Sequence, residues 1–245
     1  MVGFFVEKRL RRRGFLLAAL LSIGGLSVLK AQEVSTQLPA KPDTAALYLF
    51  YLHGRIIEEQ GLRPQSPRFG IYEYEKILRT FQQRGFRVIS RARPRGTQPP
   101  VYARKVVTQI DTLLKAGVPA EHITVVGASK GAAIAVWVSH FLRNPSVNFV
   151  LIAVCNPRTV AYWKKNRITL HGRVLSLFES SDPIGRSCRE LFQASQGRGL
   201  TAYHEIELHT GLAHGVLYRP IPEWVEPTVE WAGHAASHAG PKSTH

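Results

Sequence analysis

Apolar residues fall along this chain in short dense runs, each closed by glycine, proline or a polar cluster, and the runs alternate with stretches of helical spacing. Residues 46–52, 85–90, 123–126, 147–155, 172–178 and 202–208 are too short for helices and rich in β-branched and aromatic residues, so they read as strands. Between them, residues 72–83 bring Tyr74, Ile77, Leu78 and Phe81 near one face, and residues 101–115 do the same with Val106, Ile110, Leu113 and Leu114 before Gly117 stops the helix. Further helices are expected in the alanine-rich stretch after Ser129, near 189–194, and within 223–233, where Pro227 falls in or near the first turn. Residues 55–70 carry prolines and glycines that forbid regular structure over most of their length. The stretch 156–171, with Tyr162 and Trp163 among basic residues, reads as a short helix or loop. Strands alternating with helices imply βαβ units, so the fold class is α/β with a mostly parallel six-stranded sheet and helices on both faces.

The third of these runs is the informative one. Ile123 to Val126 drives into Gly127-Ala128-Ser129-Lys130-Gly131 and then into Ala132, Ala133 and Ala135, which is G-x-S-x-G in strand-turn-helix context. A serine on so tight a turn needs strained backbone angles, and the positions two residues away on either side must lack bulk. Gly127 and Gly131 meet that demand. Downstream, the run 173–178 ends at Glu179-Ser180-Ser181-Asp182, and the run 202–208 leads to Thr210-Gly211-Leu212-Ala213-His214-Gly215. Upstream, the first run ends in His53-Gly54-Arg55.

In these features the chain resembles the α/β-hydrolase family, in which an acid and a histidine follow the serine in that order. The resemblance covers about residues 46–234 and lacks the family's two leading antiparallel strands, implying a compact, nearly lidless core. It makes Ser129 the nucleophile, His214 the base and Asp182 the acid, with Glu179 the rival acid and His209 the nearest competing histidine. The backbone N–H groups of Arg55 and Lys130 fall where the family stabilises the oxyanion. His53 reads as a loop brace rather than a second base. The implied activity is cleavage of a small-molecule ester or thioester through an acyl-serine, with no cofactor. Acyl transfer or amide cleavage on the same residues, and a non-catalytic binding module of the cell envelope, remain as alternatives.

Composition changes the picture mainly at the ends. The 245 residues, 44% of them hydrophobic, suit one domain of ordinary size. The first thirty differ: a basic segment, Lys8 to Arg13, precedes an apolar stretch from Phe15 to Val28, and Arg12-Arg13-Gly14-Phe15-Leu16 looks like a twin-arginine export signal. Residues 1–31 therefore read as a signal peptide (twin-arginine or general secretory) ending at Ala31, followed by a linker over 32–45, the domain over 46–234 and a disordered tail over 235–245. Export implies a periplasmic or secreted protein; an uncleaved leader would instead anchor it to the membrane. Losing six Lys/Arg and one Glu with the leader takes the net charge from +15 to +10. That surplus does not signal a nucleic-acid partner, because no recognised module and no aromatic stacking platform accompanies the charges. It suits a solvated basic face with weak attraction to anionic envelope surfaces.

Cys155 and Cys188 are the two cysteines. In an oxidising compartment they form one bridge or stay as two separately buried thiols. No metal site is expected: His234 and His238 stand at helical spacing but lack a carboxylate or cysteine partner.

Overall fold

The computed structural model describes residues 36–237, with side chains through Gly233; the signal-peptide reading of residues 1–31 lies outside the described residues. In chain order the elements are β1 (Leu47–Leu52), α1 (Arg55–Gln60), β2 (Gln65–Ser66), β3 (Gly70–Ile71), α2 (Tyr74–Gln83), β4 (Phe86–Ile89) and α3 (Pro99–Lys115). There follow β5 (Ile123–Ala128), α4 (Lys130–Leu142), β6 (Asn148–Ile152), α5 (Pro157–Lys165), β7 (Gly172–Glu179), α6 (Arg189–Ser195), β8 (Leu200–Leu208) and α7 (Pro222–Ser237). Short 3-10 turns occupy Ala120–His122 and Ala213–Tyr218.

The main sheet has the order β4-β1-β5-β6-β7-β8, and every adjacent pair is parallel. Such a sheet is covered on both sides, which is why its central strands β1, β5 and β6 read as continuous apolar runs rather than alternating ones, while the edge strand β8 is exposed or half-buried over most of its length. Successive residues of β1 serve opposite cores. Tyr48, Phe50 and Leu52 pack with α3 and α4 residues such as Ala103, Ile110 and Ile134. Leu49 and Tyr51 pack with Ile77, Phe81 and Trp224 of α2 and α7. The strand order reverses direction beside β1, since β4 lies on one side of it and β5 on the other. Open α/β sheets hold their ligands in the crevice at such a point, outside the carboxyl ends of the strands. Here those ends are His53-Gly54 and Ser129.

Four expectations need correction. Residues 55–60 are helical, because the breakers begin only at Gly61 and Ile57 and Glu58 can be buried against the sheet. The rest of that loop holds the small antiparallel pair β2–β3, with the Tyr72 N–H donating to Pro64 O. The segment before β1 is not a free linker over its last residues, since Asp43 takes part in hydrogen bonds with Tyr48 and pairs with Arg87, and Leu38 packs on the core. At the other end α7 starts at Pro222 and continues to Ser237, past the expected boundary at 234, with Pro227 in its interior.

The crossing of α4 over β1 is close. A Cβ added at Gly131 would sit 1.7 Å from Leu52 O, and one at Gly127 would sit 2.5 Å from Ala132 Cα. Both obstacles are backbone, which cannot rotate away. Gly131→Ala should therefore lower stability by about 3 kcal/mol or more, read as the urea midpoint at constant slope. Gly233→Ala, with no atom within 4 Å of its added Cβ, is the control expected to keep the wild-type midpoint or exceed it.

Candidate active site

Ser129 stands between β5 and α4 with φ 52° and ψ −114°, a left-handed backbone that a non-glycine residue adopts only when its surroundings enforce it. The enforcing contacts are the Ser129 N–H to Ile152 O bond at 2.9 Å and the glycine crossings on either side. The strain lifts the hydroxyl off the end of the sheet. There Ser129 Oγ meets His214 Nε2 at 3.0 Å, and His214 Nδ1 meets Asp182 Oδ2 at 2.6 Å. Asp182 is fully buried, so its carboxylate favours an imidazole with the proton on Nδ1, leaving Nε2 to accept from the hydroxyl.

Both loops that supply these groups are fastened. The acid loop turns on itself through Ile184 N–H to Asp182 Oδ1 at 2.8 Å, and Arg186 N–H donates to Cys155 O at 3.2 Å. Gly185 lies against Ala153 too closely to tolerate a Cβ. Cys155 and Cys188 are joined in a disulfide, with Cα atoms 5.1 Å apart, which ties the end of β6 to the far end of the acid loop. Glu205 on β8 accepts from the Cys188 N–H and the Ser187 hydroxyl.

The histidine loop is held by Glu179, the rival acid. Its buried carboxylate does not touch the imidazole. It accepts instead from Thr210 N–H at 2.9 Å, Thr210 Oγ1 at 2.7 Å, Gly211 N–H at 3.2 Å and Ser181 Oγ at 3.1 Å. Burial pushes this carboxyl up, but the donors from Thr210, Gly211 and Ser181 outweigh burial and hold it down to about 2. His209, just after β8, is exposed, and the imidazole at the Ser129 hydroxyl is that of His214.

On the other side of Ser129, an added Cβ at Gly54 would lie 4.0 Å from Ser129 Cβ, so the turn after β1 borders the hydroxyl. Arg55 and Lys130 are the first residues of α1 and α4, where backbone N–H groups lack helical acceptors. His53 braces this turn. Its Nδ1 bonds to Gly54 O at 2.8 Å and its Nε2 accepts from Arg93 N–H at 3.0 Å. Burial first, and the Arg93 charge second, push the imidazole down to about 3, so it is neutral and both nitrogens are occupied.

Sequence reasoning missed a buried ion cluster beside this turn. Glu58 on α1 pairs with Arg93 Nε at 2.9 Å and also with Lys130 Nζ, and Arg93 further donates to His53 O. The Lys130 side chain thus folds back onto α1, while that of Arg55 is exposed. The available signal was only the position of Glu58, one turn beyond Arg55 on a segment read as loop. A cleft of about 1080 Å³ opens over Ser129 and His214, walled by Arg55, Thr159, Tyr162, Ile184 and Leu217 among others. Among the described residues no group of three His, Cys, Asp or Glu is set to hold a metal ion.

Among solved structures, the chain is similar to MGS-MChE2, an α/β hydrolase from the metagenome of sediments of the Mar Chica lagoon, Morocco. The identity is 13%, 78% of this chain and 92% of that one are covered, and the TM-score is 0.52. It is also similar to a sugar hydrolase (YeeB) from Lactococcus lactis, at 12% identity over 82% and 93% of the two chains with a TM-score of 0.52. A third is SOBER1 of Arabidopsis thaliana, at 12% identity over 78% and 99% with a TM-score of 0.50. The chain has the α/β-hydrolase fold. No protein-family model matches it, and neither does any curated protein sequence. At these identities the likeness carries the fold of an α/β hydrolase alone, and any chemistry rests on the site just described.

Glu179 and His53 should make this α/β-hydrolase core less stable in acid. Each has a folded pKa below its unfolded value, so the unfolded chain binds more protons and stability falls as pH drops. The His53 contribution is present above pH 6.5 and is lost as pH falls towards about 3; the Glu179 contribution is present above pH 4.5 and is lost towards about 2. Glu179→Gln should cost on the order of 3 kcal/mol at pH 7 and progressively less below pH 4.5, measured by thermal melts across that range. Reducing the disulfide, which closes 33 residues of sequence, should cost roughly 3 to 4 kcal/mol in the same melts at pH 7.

Proposed function

We propose that the protein is a serine hydrolase that cleaves a carboxylic ester or thioester through an acyl-serine intermediate. The observation that carries this reading is the continuous line from Asp182 through His214 to the hydroxyl of Ser129, at 2.6 and 3.0 Å, on the floor of an open cleft. An unassisted serine hydroxyl is a poor nucleophile at neutral pH, and an imidazole in hydrogen-bond reach removes that limit. As Ser129 Oγ adds to the substrate carbonyl carbon, its proton passes to His214 Nε2. Asp182 stays ionised and stabilises the imidazolium through the Nδ1–H. The carbonyl oxygen, now negative, takes hydrogen bonds from the backbone N–H groups of Lys130 and Arg55. Collapse expels the alcohol or thiol, which leaves with the proton from His214. Water, deprotonated by the same imidazole, then attacks the acyl-serine, and the departing Ser129 oxygen recovers the proton.

Glu58 and His53 serve this scheme indirectly. Glu58 ties the first turn of α1 to Lys130 at the start of α4 and His53 braces the turn before α1, which would keep the two donors in place before substrate arrives. The likeness to solved α/β hydrolases agrees with a hydrolase without naming a substrate. Export is part of the same proposal: a disulfide persists in an oxidising compartment, consistent with a leader over residues 1–31 and a periplasmic or secreted protein.

Ser129→Ala should abolish labelling by a fluorophosphonate probe and reduce turnover of short p-nitrophenyl esters by about 10⁴-fold or more, with an unchanged melting profile. Turnover equal to wild type would overturn the proposal.

A further inference from the structure

A second cavity, of about 860 Å³, lies under the loop between β4 and α3 and along the first turns of α3. It adjoins the active-site cleft, because Arg95, Gly96, Thr97 and Gln98 line both. Four basic side chains line this second cavity, those of Arg91, Arg93, Arg95 and Lys105, and neither Asp nor Glu is among its lining residues. Arg91, Arg95 and Lys105 are exposed and join no ion pair among the described residues.

Arg93 sets this cavity apart from an ordinary basic surface. Its side chain is wholly buried, its Nε is paired with Glu58 and its Nη2 is bonded to His53 O, yet its Nη1 has no hydrogen-bond partner. The charges there do not balance. The single carboxylate of Glu58 is shared between Arg93 and Lys130, so two buried or half-buried cations face one anion. An unmatched buried charge is unfavourable, and an anion brought to the adjoining cavity would offset it at short range through a medium of low dielectric.

We propose that this cavity is a binding pocket for a carboxylate or phosphate group. Resting on the serine-hydrolase reading, the pocket would take the acidic end of a substrate whose ester bond lies over Ser129; a separate small anion is the other source of the same chemistry. The cavity is also lined by the apolar residues Leu52, Ile89 and Val106 and by Tyr102, over whose ring the Arg93 guanidinium lies at 5.5 Å, surfaces that suit a short carbon chain carrying the charge.

Two measurements on the full chain test this. In the first, inorganic phosphate and succinate are titrated calorimetrically into the Ser129→Ala protein at low salt, which needs no turnover. Millimolar or tighter binding is expected, weakened at least tenfold in the double variant Arg91→Gln/Lys105→Gln. Both of its substitutions are on exposed side chains and away from the buried cluster. In the second, p-nitrophenyl esters of succinate and butyrate are compared on the Ser129 protein. A preference for the succinate ester that falls at least tenfold in the double variant, through KM rather than kcat, assigns the pocket to the substrate. Binding of phosphate without such a preference assigns it to a separate anion. Absence of binding up to 20 mM of either probe, with the two esters affected alike by the double variant, would overturn the pocket. Turnover of the butyrate ester that depends on Ser129 would leave the hydrolase reading standing in that case.

Discussion

The site depends on how closely two pieces of backbone can pass. Gly131 brings the start of α4 so near the end of β1 that its missing Cβ would lie 1.7 Å from the Leu52 carbonyl oxygen. That crossing sets Ser129 and Gly54 side by side at the point where the strand order reverses. With a wider crossing the Ser129 backbone could relax from φ 52° into an ordinary helical start, and the hydroxyl would fall back toward the sheet. The cost of holding it up is spread over the β5–α4 unit, whose strand is wholly buried and whose helix packs a closely fitted face on it.

Two carboxylates at the end of one strand have separate tasks, and their surroundings decide which. Asp182 bonds to the imidazole, while Glu179, three residues earlier and inside β7, collects donors from Thr210 and Gly211 and from Ser181. Glu179 therefore fixes the base of the loop from which His214 projects. Chain order alone could not separate them, since both follow the same apolar run. The deciding fact is direction: alternate residues of a strand face opposite sides, and only after the strand has ended can the chain turn a side chain over the serine.

Much of this was legible because it is local. Short runs of four to nine residues, most of them densely apolar, announced a sheet covered on both faces, and the six runs became its six parallel strands. The glycine pattern around Ser129 encodes a steric demand, which a sequence expresses directly. What was not legible is non-local. Arg55 to Gln60 looked like loop because the breakers after it coloured the whole segment, and its helix exists through burial of Ile57 and Glu58. The Glu58 cluster joins residues 58, 93 and 130, whose contact no spacing rule implies. Pro227 lies in the interior because α7 begins at Pro222, ahead of the stretch 223–233 expected to contain it.

That cluster also answers a question posed by the cations at positions 55 and 130. A free lysine beside the nucleophile would draw any anion to the serine itself, competing with the carbonyl oxygen for the same positive field. Pairing with Glu58 offsets the charge of Lys130 at the wall of the cleft, so that in the proposed mechanism the backbone N–H is the donor at that position. Arg93, drawn in to share the same carboxylate, adds to the positive charge lining the second cavity. On the proposed mechanism, one buried glutamate would thus serve two electrostatic tasks, placing backbone donors for the developing oxyanion and a positive wall a short distance from them.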